Sequence, residues 1–150
     1  MRYVIDLDRS RCIACGACAV ACMDQNDIDP RAGDEPLRRC VVREEGTGRD
    51  VRMTYLTLSC RHCENAPCIG ACPEGCLRRD AETGFVIADS ERCVGCRRCA
   101  AACPFSAPAF DRNGKMRKCD GCYLRVRNSL LPACVKVCPF GALTLRAADG

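Results

Sequence analysis

Cysteine placement limits what this chain can fold into more than any other feature. Sixteen of its eighteen cysteines stand in four tetrads: Cys12-x2-Cys15-x2-Cys18-x3-Cys22, Cys60-x2-Cys63-x4-Cys68-x3-Cys72, Cys93-x2-Cys96-x2-Cys99-x3-Cys103 and Cys119-x2-Cys122-x11-Cys134-x3-Cys138. A proline follows each of the last three, at Pro73, Pro104 and Pro139. A C-x2-C-x2-C run wraps around one cubane iron–sulfur cluster and offers it three thiolates from a tight loop. The fourth cysteine comes four residues later, about one helical turn or roughly 6 Å further along. It therefore points at a different cluster, and tetrads exchange their last cysteines in pairs. Sixteen thiolates suffice for four 4Fe–4S clusters with full cysteine ligation. A protein built this way moves electrons.

At 150 residues the chain is one compact unit or two small fused modules. Aromatic residues are 5% and Trp is absent, so a conventional core would be thin. Eighteen cysteines in this length exceed the share, about 8–10%, that signals a scaffold held by disulfides or metal. Clusters are expected to fill much of the core, which couples metal binding to folding and leaves the apo chain largely unfolded.

The formal charge of +4 counts neutral thiols. An oxidised cubane with its four thiolates carries about −2, so four of them bring the balance to about −4. This argues against a basic nucleic-acid face. The tight basic pairs Arg38–Arg39, Arg78–Arg79, Arg97–Arg98 and Arg117–Lys118 are read instead as softening cluster charge or docking an acidic partner. The first apolar run, Tyr3–Leu7, is too short for a secretory h-region and is broken by Asp6. No stretch approaches the ~18 apolar residues of a membrane span. A soluble chain with no signal of its own is expected.

Short strands are predicted over 2–7, over Phe85–Ala88, and over Cys40–Glu44 and Val51–Leu58, the last two flanking a hairpin loop at Glu45–Arg49. Ile28–Pro36 reads as a loop. Its acidic neighbourhood of Asp24, Asp27, Asp29 and Asp34 is expected to face solvent. The residues before each last cysteine are small and helix-compatible. The tetrad flanks repeat: Cys-Pro-Glu-Gly-Cys-Leu (72–77), Cys-Pro-Phe-Ser-Ala (103–107) and Cys-Pro-Phe-Gly-Ala-Leu (138–143) are variants of one phrase. The unit is a bacterial-ferredoxin half used four times. The predicted fold class is α+β, two interleaved bacterial-ferredoxin-like modules with small hairpins and short helices around four clusters. Tetrads two and three, joined by Glu74–Arg92, form an inserted module over residues 51–107. Tetrads one and four form an outer, permuted module over 1–50 and 108–150, whose strand Tyr3–Leu7 should pair antiparallel with Leu143–Leu145.

Rival chemistries fit less well. Zinc ribbons use C-x2-C pairs but have no need of a third cysteine or a Cys-Pro terminus. A disulfide framework lacks a secretory signal. No run has the C-x3-C-x2-C order of a radical-SAM site, and the single histidine, His62, is one short of a Rieske centre. His62 is read as structural or as a hydrogen-bond donor to a cluster sulfur. Cys76 occupies the slot of Ala107 and Ala142, so it is expected to be a small buried residue rather than a ligand; Cys40 is expected in a strand. There is no glycine-rich phosphate loop and no nucleophile elbow.

The whole sequence resembles the four-cluster iron–sulfur (beta, electron-transfer) subunit of the dimethyl sulfoxide reductase family of molybdopterin oxidoreductases. The resemblance is carried by Val4-Ile-Asp-Leu before Arg11-Cys-Ile-Ala-Cys, by Cys60-Arg-His-Cys-Glu-Asn-Ala-Pro-Cys, by Lys118-Cys-Asp-Gly-Cys-Tyr-Leu-Arg-Val, and by Leu131-Pro-Ala-Cys-Val-Lys-Val-Cys-Pro-Phe-Gly-Ala-Leu. It implies that the first tetrad pairs with the fourth and the second with the third. The implied ligand sets are Cys12, Cys15, Cys18 and Cys138; Cys22, Cys119, Cys122 and Cys134; Cys60, Cys63, Cys68 and Cys103; and Cys72, Cys93, Cys96 and Cys99. Some relatives replace one third-tetrad cysteine by Trp and hold a 3Fe–4S cluster; Cys96 is intact here, so four cubanes are implied.

The implied role is non-catalytic: a subunit wiring a large molybdenum or tungsten bis-pterin catalytic subunit to an external electron carrier or to a membrane anchor subunit. The set containing Cys138 would lie nearest the pterin and the set containing Cys96 furthest from it. The sequence ends at Gly150, soon after the last motif, where many relatives continue, so a soluble minimal complex is expected. It would be cytoplasmic or exported alongside a signal-bearing catalytic subunit. A free-standing polyferredoxin-like carrier serving a hydrogenase or formate dehydrogenase is the alternative.

Overall fold

The aromatic and β-branched run Tyr3-Val-Ile makes a strand of Tyr3–Leu7 (β1), alternating apolar and polar side chains make another of Leu143–Ala147 (β8), and these two, from opposite ends of the sequence, pair antiparallel. The structure, a computed structural model, describes residues 2–148. Between the outer strands come α1 (Ala17–Gln25), a 3-10 turn (Pro30–Ala32), β2 (Arg39–Glu45), β3 (Arg52–Leu58), α2 (Pro67–Gly70), β4 (Leu77–Arg79) and β5 (Val86–Ala88). Then follow α3 (Arg98–Ala102), β6 (Ala109–Phe110), β7 (Met116–Arg117), α4 (Tyr123–Arg127) and α5 (Ala133–Lys136). Four two-stranded antiparallel ribbons result: β1–β8, β2–β3, β4–β5 and β6–β7. This is an α+β fold of small hairpins and short helices.

None of these parts is stable alone. Two-stranded ribbons are marginal in water, and helices of at most nine residues fall short of the ~12–15 that an isolated helix needs. Cohesion comes from small cores in which cysteines take the place of large side chains. One packs Cys68, Cys76 and Cys99 with Leu77, Val86, Phe110 and Met116; another packs Cys18 and Cys134 with Val135 and Leu143.

Two ribbons are built to one plan. Leu77, five residues after Cys72, pairs with Ala88, five before Cys93. Leu143, five after Cys138, pairs with Leu7, five before Cys12. The closing backbone bond recurs as well: Asp89 N–H donates to Cys76 O and Asp8 N–H to Ala142 O, both at 2.8 Å. Ala148 N–H donates to Arg2 O at 2.7 Å, so the two ends of the fold are neighbours.

Two expectations need correction. Phe85 stands outside β5: its N–H is turned to Thr83 Oγ1 and its carbonyl accepts from Asp80 N–H, so it closes the turn that β5 then leaves. The ring is fully buried. Asp34 does not face solvent. It is 5% exposed, and its carboxylate accepts from Asp29 N–H, Arg112 N–H and the Arg112 guanidinium. With Glu35, whose Oε2 accepts from Phe110 N–H at 2.8 Å, it pins the loop after α1 to the β6–β7 ribbon.

Candidate metal centres

Each tetrad starts in a loop that only an unusual backbone can make. The residue before the second cysteine has positive φ in all four: Ala14 (53°), His62 (49°), Gly95 (71°) and Gly121 (71°). This left-handed step turns an N–H back toward the first sulfur. His62, Gly95 and Gly121 N–H donate to Cys60, Cys93 and Cys119 Sγ respectively, each at 3.4 Å.

The last cysteine of three tetrads is held by a second repeated bond. In the Cys-Pro phrases the N–H four residues on donates to the sulfur: Cys76 to Cys72 at 3.3 Å, Ala107 to Cys103 at 3.4 Å and Ala142 to Cys138 at 3.3 Å. The proline stops the helix and frees that N–H to turn inward. Met23 follows Cys22 instead, α1 continues, and the backbone donor is used in the helix. The Asn26 side chain supplies the missing donor, with Nδ2 3.7 Å from Cys22 Sγ. Nothing in the spacing announced Asn26.

The tetrad cysteines gather across the sequence. Cys12, Cys15, Cys18 and Cys138 line one small apolar cavity, with Cys40, Thr57 and Phe140 among its other walls. Cys72, Cys93, Cys96 and Cys99 line a second, with Cys76 and Met116. Cys22 lies within electrostatic reach of Cys119, Cys134 and Cys122; burial first, then these neighbours, push its thiol up to about 12. Cys68 has Cys103 and Cys63 as neighbours, and Cys60 has Cys68. The groups adjoin in series: Cys134 is close to Cys18, Cys119 to Cys60, and Cys68 shares a core with Cys99. Cys15 and Cys96, in the two outermost groups, are exposed, whereas Cys22, Cys68, Cys119 and Cys134 are buried.

These donor sets fit a cubane. The sulfurs receive N–H donors in apolar surroundings, and all eighteen cysteines are free thiols. Burial holds several thiols protonated, so thiolates crowd there only around a cationic core. Among the described residues, no three His, Cys, Asp or Glu side chains come close enough to share a single ion. A zinc ion at ~2.3 Å from each sulfur needs thiolates roughly 3.8 Å apart. A larger cleft of about 430 Å3, walled by Glu35, Arg39, Arg97 and Phe105, holds no tetrad cysteine.

The other singled-out residues fall beside these groups. Cys76 is buried and Cys40 lies in β2, both at cavity walls. His62 is buried between groups, its Nδ1 accepting from Val86 N–H at 3.0 Å and its Nε2 3.7 Å from Cys119 Sγ.

Residues 51–148 match the 4Fe-4S dicluster domain, and residues 9–23 match a 4Fe-4S binding domain. The B subunit of the anaerobic dimethyl sulfoxide reductase of Escherichia coli is 38% identical over 99% of this sequence and 75% of its own length. The protein belongs to the iron–sulfur electron-transfer subunit family of dimethyl sulfoxide reductase. The thiosulfate reductase electron transfer subunit PhsB of Salmonella typhi is 39% identical over 99% of the sequence and 77% of its own length. Protein NrfC of Escherichia coli is 38% identical over 99% and 67%. Members of this family carry 4Fe–4S centres and transfer electrons; they are not the catalytic subunits. Among the described residues no helix is long and apolar enough to cross a membrane.

Proposed function

We propose that this protein holds four 4Fe–4S clusters and wires a molybdenum or tungsten bis-pterin catalytic subunit to an external electron donor or acceptor. One observation carries the reading: sixteen tetrad cysteines, spread over 127 positions of sequence from Cys12 to Cys138, gather by fours into adjoining groups. The ligand sets are Cys12, Cys15, Cys18 and Cys138; Cys22, Cys119, Cys122 and Cys134; Cys60, Cys63, Cys68 and Cys103; and Cys72, Cys93, Cys96 and Cys99. When bound, each cluster supplies a site that accepts and gives up one electron. The polypeptide's contribution is to hold the sites in a row and to aim N–H donors at their sulfurs.

The two ends of the row differ in role. Cys15 and Cys96 are the exposed ligands, one in each outer set. The set of Cys15 faces the catalytic partner and that of Cys96 the external carrier, an order that rests on family resemblance. The fold is two ferredoxin-like modules, residues 51–107 inserted between 1–50 and 108–150. The matching registers of β4–β5 and β1–β8 support this division.

Two measurements test the reading. Anaerobically purified protein should contain about sixteen iron and sixteen sulfide per polypeptide, and it should co-purify one-to-one with a large pterin-bearing subunit. Stoichiometric zinc with negligible sulfide would end the cluster reading. A monomer that reduces a hydrogenase or formate dehydrogenase with no pterin partner would favour the carrier role.

A further inference from the structure

Two cations are buried beside the cysteine groups without a carboxylate. Arg38 is 4% and Lys118 5% exposed, and among the described residues neither takes part in an ion pair. Arg38 donates to Thr57 Oγ1 at 3.1 Å and Ser59 Oγ at 2.8 Å. Thr57 Oγ1 lies 3.4 Å from Cys18 Sγ, so its hydroxyl, already accepting from Arg38, is free to donate to that sulfur. Lys118 Nζ donates to the carbonyls of Val86 and Cys119. An unpaired buried cation is costly. Neutral acceptors take up one side of each group, and among the described residues no carboxylate pairs with it, which leaves it beside cysteine sulfurs.

The cysteines they meet belong to different groups. Arg38 reaches Cys18 through Thr57, and Cys18 shares a core with Cys134 of the next set; Cys119 and Cys22 of that set are also within its electrostatic reach. Lys118 is bonded to the carbonyl of Cys119 in one set and to that of Val86, which shares a core with Cys68 of the next; Cys60 is also within its electrostatic reach. Each cation therefore sits at a seam between two neighbouring groups, and the group of Cys119 meets both.

Resting on the ligand sets proposed above, we infer that Arg38 and Lys118 are shared counter-ions, each raising the reduction potentials of the two clusters it separates. Reduction adds one negative charge to a cluster, and a fixed cation in a low-dielectric seam favours that state. Because one cation serves two clusters, its removal lowers two potentials together. This pattern distinguishes charge from packing, since a loosened fold would disturb the clusters without regard to seams.

The test is a potentiometric titration of the holo protein followed by electron paramagnetic resonance, with iron and sulfide counted first. Lys118→Met should lower the reduction constants of two of the four clusters by about tenfold or more, 59 mV for a one-electron couple. Arg38→Gln should also lower two, and one cluster should be common to both pairs. Lys118→Arg and Arg38→Lys, which keep the charge, should restore the values to within about threefold. Potentials that stay put, that all move alike, or that move equally in the charge-keeping variants would overturn the inference. If one neutral variant fails to load iron, the other decides by the same two-of-four criterion. If both fail to load, the two residues are structural and the inference falls. A wild-type protein lacking sixteen iron and sixteen sulfide would instead sink the cluster reading before any variant is made.

Discussion

His62 Nε2 lies 3.7 Å from Cys119 Sγ, although the two residues stand 57 positions apart in different tetrads. Val86 N–H can only donate, so His62 Nδ1, 3.0 Å away, must accept. That leaves the ring proton on Nε2, aimed at the sulfur. Burial, with Lys118 and Arg79 nearby, holds the imidazole pKa well below its ordinary value, so the ring is neutral. A hydrogen bond to a ligand sulfur raises a cluster's potential. His62→Ala should therefore lower one potential by about 60 mV, a tenfold change. It should also cost about 1–3 kcal/mol of stability by leaving the Val86 N–H buried and unpaired. Nitrogen NMR of the ring in the oxidised, diamagnetic holo protein showing the proton on Nδ1 would refute the assignment.

Gly121 offers a sharper structural test. Its φ is +71°, and a Cβ there would lie 2.4 Å from Cδ2 of the buried Phe85 ring. Gly121→Ala should destabilise the protein by on the order of 1–3 kcal/mol through overpacking and strain. The damage should concentrate on the cluster of Cys119 and Cys122. Thermal unfolding of the holo protein and iron content of the variant check this. A variant as stable and as iron-rich as wild type would mean Phe85 has room to move.

Much of this was legible in the residues, and what was not shares one physical reason. Tetrad spacing, the hairpin of β2 and β3, and the pairing of β1 with β8 all follow from local pattern or from the repeated flanks. Asn26, Thr57, Asp34 and Lys118 did not announce themselves, because each acts on a residue distant in sequence or does a job that spacing does not encode. Asp34 and Arg112 are 78 positions apart. The basic pairs Arg38–Arg39 and Arg117–Lys118 are visible, but not that Arg38 and Lys118 are the buried members. Asn26 is intelligible only against the missing proline after Cys22, a comparison that the repeat makes possible.

Cys96 and Cys76 line the same cavity but should respond differently to substitution. Cys96→Ser should convert one cubane to a three-iron centre and slow electron transfer to the external carrier, leaving the other clusters in place. Cys76→Ala, at a position filled by alanine in the sister phrases, keeps the N–H that donates to Cys72 Sγ. Its iron count and spectra should match wild type. Iron loss in Cys76→Ala would require a different ligand set at this cavity.

The Asp34–Arg112 contact predicts a local acid response. The side-chain and backbone bonds from Arg112, with Asp29 N–H, hold the Asp34 carboxyl well below its usual range. A depressed native pKa contributes stability that is complete above the unfolded value, about 3.9, and is lost as pH falls through the native value. The segment around Asp34 should therefore open more readily in acid. Asp34→Asn should show extra opening at pH 7, and the gap to wild type should close as pH falls below about 4. Amide hydrogen exchange of residues 29–37 measures this directly. A gap unchanged at pH 3 would mean the carboxylate charge is not what holds the loop.

The last prediction exploits the neighbouring ends of the fold. Ala148 N–H bonds to Arg2 O, and the β1–β8 ribbon runs from Tyr3 opposite Ala147 to Leu7 opposite Leu143. A short glycine linker from the C-terminal end to the N-terminal end should then span no strained distance. The exposed turn between β2 and β3, around Gly46–Arg49, carries no tetrad cysteine and suits new termini. Such a circular permutant should fold and bind as much iron and sulfide as wild type, because Arg2 and Ala148 already adjoin. Joining tetrad four to tetrad one in this way also recreates the strand connection that β4 and β5 make between tetrads two and three. Opening the polypeptide instead between Leu77 and Val86 cuts that native connection and should cost both clusters that depend on it. A permutant joined at the ends that loses iron, beside an inner-opened one that keeps it, would refute the two-module reading.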